Sequence, residues 1–277
     1  MKQKVSDYIA EYIAQWGIRD VFTVTGGGAM HMNDAFGHHK MLHCTYQHHE
    51  QACAMAAEAY ARLGNKMAAV CVTTGPGATN AITGVLGAWM DSIPMLVFSG
   101  QARYATTVSA SGLPLRSMGV QECNIVPVVK SLTKYAHMIV HPENIRYHLE
   151  KALYLAVNGR PGPVWLDIPL DVQGAVIETD DLKAYDPEEN PEQKPREIKD
   201  ETVEQILDKL QESKRPVLSP GNGVRLAGAH EDFYQLAELL GVPVVTGMSS
   251  VDAIESDHPL FVGRSGGRSV DSSFYRS

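Results

Sequence analysis

The four cysteines, Cys44, Cys53, Cys71 and Cys123, include no CxxC pair. That spacing argues against a zinc site, and three of the four lie in apolar or alanine-rich runs. They are expected to be reduced core residues of a cytoplasmic protein. No stretch of about 18 uncharged apolar residues occurs, so no membrane span is expected. Residues 1–4 carry two lysines, but 5–15 are amphipathic and contain Asp7 and Glu11. That is the start of a helix and not the apolar centre of a signal peptide. Basic residues are also short: 24 Lys and Arg face 32 Asp and Glu, a net charge of −8. Without a basic stripe, nucleic acid is not an expected partner. The acidic excess is local, with ten acids against four bases over residues 178–201. There is no repeat at a solenoid period. No GxGxxG opens a helix with an acid about 20 residues on, and no glycine loop carries a Walker lysine, so a nucleotide site is not indicated.

What is present alternates between helix and strand. The chain has 277 residues, 44% of them hydrophobic and 20% charged, enough for a proper core. Apolar residues recur at helical spacing over 5–16, and Gly17 ends the run. Residues 21–24 form a short β-branched and aromatic run that leads into Gly26-Gly27-Gly28. An alanine-rich helix is predicted over 50–63, closed by Gly64. The apolar runs 67–73 and 94–98 read as strands buried on both faces, with a helix over 78–90 between them. A helix over 145–157 and a strand over 163–168 follow. Strands separated by helices of this length imply parallel pairing through right-handed crossovers. The expected fold class is α/β, a doubly wound parallel sheet over residues 1–175. Residues 176–200, acidic and punctuated by Pro187, Pro191 and Pro195, read as a surface linker. Residues 201–277 read as an incomplete second α/β domain of Rossmann-like pattern. Its expected helices cover 201–212 and 229–240, and its expected strands 216–219 and 243–246. After Gly263 the sequence turns rich in Arg, Ser and Gly.

Two glycine loops fall at strand ends, where the ligand crevice of such a sheet lies. Taken alone, Gly26-Gly27-Gly28 and Gly75-Pro76-Gly77 serve equally as tight turns or as sites of close backbone approach to a ligand. Glu50 stands at the first turn of a helix, where an acid gains about 0.3–1 kcal/mol from the helix dipole. The adjacent His48 and His49 point in different directions, which weighs against a metal pair.

Several ordered segments resemble thiamine-diphosphate-dependent enzymes, most closely those of the acetolactate synthase type. Tyr46-Gln47-His48-His49-Glu50-Gln51-Ala52 resembles the segment carrying the cofactor glutamate. Thr73-Thr74-Gly75-Pro76-Gly77-Ala78-Thr79-Asn80 resembles the TxGPGxxN loop. Asp91-Ser92-Ile93-Pro94-Met95 with Ser99-Gly100-Gln101, then Gln121-Glu122, Gly159-Arg160-Pro161-Gly162-Pro163-Val164 and Asp167-Ile168-Pro169 complete the set. The likeness covers roughly residues 4–175 and continues more weakly to about 264. It implies that residues 1–175 are a pyrimidine-binding domain. Glu50 would be the carboxylate that hydrogen-bonds the aminopyrimidine ring nitrogen and drives its imino tautomer. Thr73, Pro76, Gly77 and Asn80 would line the cofactor, Gly27 and Gly28 would admit backbone to it, and Gln121 would face substrate. The implied reaction is decarboxylation of a pyruvate-like 2-oxo acid with transfer of the resulting carbanion to a carbonyl acceptor. A simple 2-oxo-acid decarboxylase and a keto-sugar-modifying relative are the alternatives within the family. The resemblance also implies a homodimer or tetramer, Mg²⁺ held by a diphosphate-binding domain, and, in some relatives, FAD.

The sequence departs from the family in three places. Gly26 stands where the family has proline, Val120 where it has phenylalanine, and residues 110–119 are unlike its pattern, which leaves the acceptor open. No Gly-Asp-Gly metal motif occurs. Gly221-Asn222-Gly223 lacks the acid and reads as a turn or a flavin contact. The expectation is therefore a pyrimidine domain and about half a central domain, inactive alone, with the diphosphate-binding domain absent.

Overall fold

Two units make up the computed structural model, Met1–Lys194 and Pro195–Ser277. It describes residues 1–194 and 197–265. In the first unit six strands form one parallel sheet, ordered β3-β2-β4-β5-β7-β6. These are β2 (Asp20–Thr23), β3 (His43–Tyr46), β4 (Ala69–Val72), β5 (Met95–Gln101), β6 (Tyr135–Met138) and β7 (Pro163–Pro169). The expected α/β class holds. All seven residues of β5 and all seven of β7 are buried, as an apolar run between two helical layers requires.

The helices follow from their apolar spacing. Helix α1 (Val5–Trp16) buries Val5, Ile9, Ala10, Ile13 and Ala14, and Gly17 ends it at φ 115°. Helix α2 (Met30–His38) follows the first glycine loop. Helix α3 (Glu50–Gly64) buries Cys53, Ala54, Ala57 and Ala61. Its stop is Asn65 in the left-handed region, one residue beyond the glycine that sequence suggested. The helix expected over 78–90 divides into α4 (Pro76–Asn80) and α5 (Ile82–Asp91). Helices α3 and α5 approach almost to backbone contact: a Cβ on Gly84 would lie 2.6 Å from Cβ of Ala54. The helix Ile145–Val157 has the predicted bounds.

Residues 176–194 do not behave as the linker that their charge suggested. Strand β8 (Val176–Glu178) pairs antiparallel with β1 (Lys2–Lys4), Lys2 facing Glu178 and Lys4 facing Val176. Ile177, Leu182 and Tyr185 are buried in the first unit. The Lys151 ammonium lies 5.4 Å from the Tyr185 ring and pairs with Glu189 at 3.4 Å. Three apolar anchors outweigh a polar composition, because acidic side chains reach solvent from a packed backbone.

In the second unit the helices Asp200–Glu212 and His230–Leu240 match expectation. Strand β9 (Val244–Thr246) pairs parallel with β10 (Phe261–Arg264), which the sequence reading lacked. The strand expected over 216–219 reduces to one bridge from Leu218 to Val244. The buried cluster here is Ala237, Val244 and Ile254. The Arg-, Ser- and Gly-rich stretch lies, from residue 266, outside the described residues. Among the described residues no helix is long and apolar enough to cross a membrane.

Candidate active site

Because the six strands are parallel, their C-terminal ends share one edge, and each sequence motif emerges there. Strand β2 delivers Gly26-Gly27-Gly28, β3 delivers Glu50, β4 the 73–77 loop, β5 Gln101 and β7 Gln173.

Glu50 is the first residue of α3, half-buried. The helix start is capped by His49, whose Nδ1 accepts the Gln51 N–H at 3.1 Å. That histidine is thus occupied as a cap. Among the described residues no group of three His, Cys, Asp or Glu could hold a metal. Asn80 donates from Nδ2 to Glu50 Oε2 at 2.9 Å. On the other side, a Cβ on Gly77 would come within 3.2 Å of Glu50 Oε1. Glycine at 77 therefore keeps a side chain off that oxygen beside a helix N-terminus. Pro76 is exposed and opens α4, where its missing N–H has no helical partner to lose.

Thr73 joins the two glycine loops. Its hydroxyl accepts the Gly28 N–H at 3.0 Å. A Cβ on Gly26 would sit 2.4 Å from Cβ of Thr73, so a side chain at 26 does not fit this arrangement. The loop is braced from behind by Gln173, whose Nε2 donates to the carbonyls of Gly28 and Ile168, each at 2.7 Å. Strand β5 makes room through Gly100, where a Cβ would lie 2.0 Å from the Gly28 oxygen. Gly27 is exposed, and an added Cβ there would meet nothing within 4 Å. Sequence reading passed over Gln173. Its only local sign is a polar residue in a short, partly apolar helix, Leu170–Gly174.

Gln121 meets this group through its backbone. Gly75 adopts φ +60°, and a Cβ on it would lie 2.1 Å from the Gln121 carbonyl oxygen. Among the described residues no hydrogen bond joins Gln121 to Glu50. Val120 beside it is 86% exposed.

A buried polar network backs these loops. Thr74 Oγ1 donates to Gln101 Oε1 at 2.7 Å. Gln101 Nε2 donates to the Cys123 carbonyl at 2.8 Å and to Asp167 Oδ2 at 3.0 Å. Ser99 Oγ donates to Asp167 Oδ1 at 2.6 Å and accepts from Trp165 Nε1 at 2.8 Å. Burial pushes the Asp167 carboxyl up to about 7, against the pull of its hydrogen bonds from Ser99 and Gln101. Gln101 and Asp167 belong to motifs visible in the sequence, but their wiring spans two strands and leaves no local pattern.

A parallel α/β sheet with two glycine loops and a half-buried carboxylate at one edge is the kind of arrangement that holds a cofactor. Known proteins agree. The thiamine pyrophosphate enzyme N-terminal TPP binding domain matches residues 3–123, and the central domain of the same family matches residues 203–275. Acetolactate synthase 2, chloroplastic, of Zea mays is 35% identical over 265 residues, 93% of this chain and 39% of that protein. The acetolactate synthase large subunit of Lactococcus lactis is 32% identical over 262 residues, 94% of this chain and 44% of that protein. The chloroplastic acetolactate synthase of Arabidopsis thaliana is 31% identical over 261 residues, 93% of this chain and 37% of that protein. The chain spans about two fifths of the length of such relatives. It belongs to the thiamine pyrophosphate enzyme family, on its acetolactate synthase-like side.

Proposed function

We propose that this chain supplies the pyrimidine-activating half of a thiamine-diphosphate site in an acetolactate synthase-like enzyme. The observation that carries the reading is the Glu50 carboxylate: one oxygen is held by Asn80 at 2.9 Å, and the other is kept clear of a side chain by Gly77. These residues fit a heteroaromatic ring nitrogen, because a fixed carboxylate with a free oxygen at a helix start can share a proton with it. When bound, the cofactor supplies the electron sink for cleaving a 2-oxo acid. Glu50 holds the proton at the pyrimidine ring nitrogen. Asn80 orients the carboxylate, and Gly77 and Gly28 let ring and backbone approach. In this reading Gln121, whose carbonyl oxygen lies against Gly75, stands on the substrate side.

The whole reaction in this reading is decarboxylation of a pyruvate-like 2-oxo acid and transfer of the two-carbon unit to a carbonyl acceptor. In this reading Mg²⁺ and the diphosphate are bound by residues other than those described above, and the catalytic form is a homo-oligomer. Residues 1–277 alone offer the cofactor a few hydrogen bonds, each about 0.5–1.5 kcal/mol net, too little against the cost of immobilising a ligand. Titration calorimetry of the chain with thiamine diphosphate and Mg²⁺ should therefore show no micromolar binding. In the assembled enzyme, Glu50→Gln should nearly abolish proton exchange at C2 of the bound cofactor with the fold unchanged. Exchange near the wild-type rate would remove Glu50 from the mechanism. Product analysis with pyruvate separates carbon–carbon bond formation from simple aldehyde release.

A further inference from the structure

Among the described residues three non-glycine residues adopt positive φ: Asn65, Ser92 and Gln121. The first two end α3 and α5, where the left-handed turn closes a helix. Gln121 ends no helix. It lies in a turn in which the Glu122 N–H returns to the Gly119 carbonyl at 3.2 Å, and its φ is +57°. A glutamine in that region is held there by its surroundings.

Two side chains do the holding. Glu122 turns its carboxylate back into the preceding loop. Oε1 accepts the Val108 N–H at 2.6 Å, and Oε2 accepts those of Met118 at 2.8 Å and Gly119 at 3.2 Å. One side chain thereby gathers both ends of residues 108–119, a stretch that contains the segment 110–119 that departs from the family pattern. On the other side, Gln101 fastens the Cys123 carbonyl to strand β5 and, through Thr74, to the Gly75 loop. The Ala102 N–H fixes which way the Gln101 amide faces: it donates to Gln101 Oε1 at 3.0 Å, so the amide nitrogen is the end that meets the Cys123 carbonyl and Asp167. The residues before and after Gln121 are thus anchored independently, and the Gln121 carbonyl is pressed on a glycine that admits no side chain.

We propose that Gln101 and Glu122 are positioning residues, a two-sided clamp that holds Gln121 in its left-handed conformation at the mouth of the Glu50 site. The inference rests on the functional reading above, which gives Gln121 its place beside substrate. Neither residue touches the Glu50–Asn80 pair, so the clamp governs the substrate side and leaves cofactor activation alone.

The test uses Glu122→Gln, which keeps shape but places an amide NH₂ among backbone N–H groups, and Gln101→Asn, which keeps both amide functions one methylene short. In the 277-residue chain, each variant should speed tryptic cleavage after Arg116 and alkylation of Cys123, located by mass spectrometry, while the circular dichroism is unchanged. In the assembled enzyme, kcat should fall on the order of a hundredfold, the cost of small misplacement at a reacting centre. The KM for thiamine diphosphate and the C2 exchange rate should stay near wild type. Loss of C2 exchange in these variants would show a general disruption and overturn the proposal. So would a loop as protected as wild type, or wild-type kcat with the loop opened. Failure of the functional reading looks different: there Glu50→Gln leaves C2 exchange intact. Two variants guard against one that does not fold.

Discussion

The two units of this chain use the same parallel α/β grammar and bury very different amounts of it. In Met1–Lys194 the central strands β4, β5 and β7 are buried along their whole length, and α1, α3 and the helix 145–157 each bury four or more side chains. Among the described residues of the second unit two strands pair, and the central cluster is Ala237, Val244 and Ile254. Helix Asp200–Glu212 has apolar residues at helical spacing, yet Val203, Ile206 and Leu207 are all exposed. An amphipathic pattern states which face can be buried; only a partner element makes that burial happen. The first unit supplies its own partners, and for that reason it can hold a site on a packed frame.

The contrast is easiest to break in the core. Leu96→Ala in β5 should cost the first unit about 2–5 kcal/mol, the usual penalty for a fully buried leucine. Denaturant unfolding followed by tryptophan fluorescence measures it, and a loss under about 1 kcal/mol, close to that of a surface position, would mean that the β5 environment is not a rigid core.

A second test exploits two titrating groups in the first unit, one half-buried and one buried. His148 stacks on His137 with centroids 4.0 Å apart, and its Nδ1 meets the Tyr135 hydroxyl at 2.7 Å. Burial, then the neighbouring His137 and Lys151, push its pKa down to about 4. A lowered folded pKa means stability that is present above about 6.5, the ordinary histidine value, and lost as pH falls toward 4. Asp167 has the opposite sign. Its raised pKa gives stability present below the ordinary carboxylate value and lost as pH rises through about 7. Across the window between, the two oppose each other. Relative to wild type, Asp167→Asn should therefore tilt stability downward toward acid, and His148→Phe downward toward neutral pH. Thermal melts from pH 4 to pH 7 read both tilts, and parallel curves would remove these two groups from the balance.

The smallest effect belongs to the second unit. Leu207→Ala should change its stability by no more than about 0.5 kcal/mol, as for other exposed positions. A loss comparable to that at Leu96 would show that helix Asp200–Glu212 is covered in solution.

The same difference in burial decides what could be read from sequence. Strands β4, β5 and β7 are legible because burial on both faces demands an apolar run. Strands β3 and β6, His-Cys-Thr-Tyr and Tyr-Ala-His-Met, are the sheet edges and half-exposed, so no run marks them. The acidic stretch 178–201 hides Leu182 and Tyr185, since composition averages away two anchors among ten acids. At the site, Glu50, Asn80 and the glycine loops stand out as residue types in order. The roles of Gln101, Glu122 and Gln173 do not, because each acts through a bond to a residue brought near only by the fold.

The pairing of β1 with β8 has a mechanical side. Lys2 faces Glu178 and Lys4 faces Val176, so the two ends of the sheet-bearing stretch leave the clip at the same side. Tension applied between the start of the chain and residue 179 would peel the ladder open one residue pair at a time, because no two of its hydrogen bonds share the load. A parallel sheet pulled along its strands resists by shear, many bonds at once. The clip is therefore a low-force tear strip in front of a stiff body: it should yield first in a single-molecule trace, as a short extension step, and leave the Glu50 edge of the sheet intact.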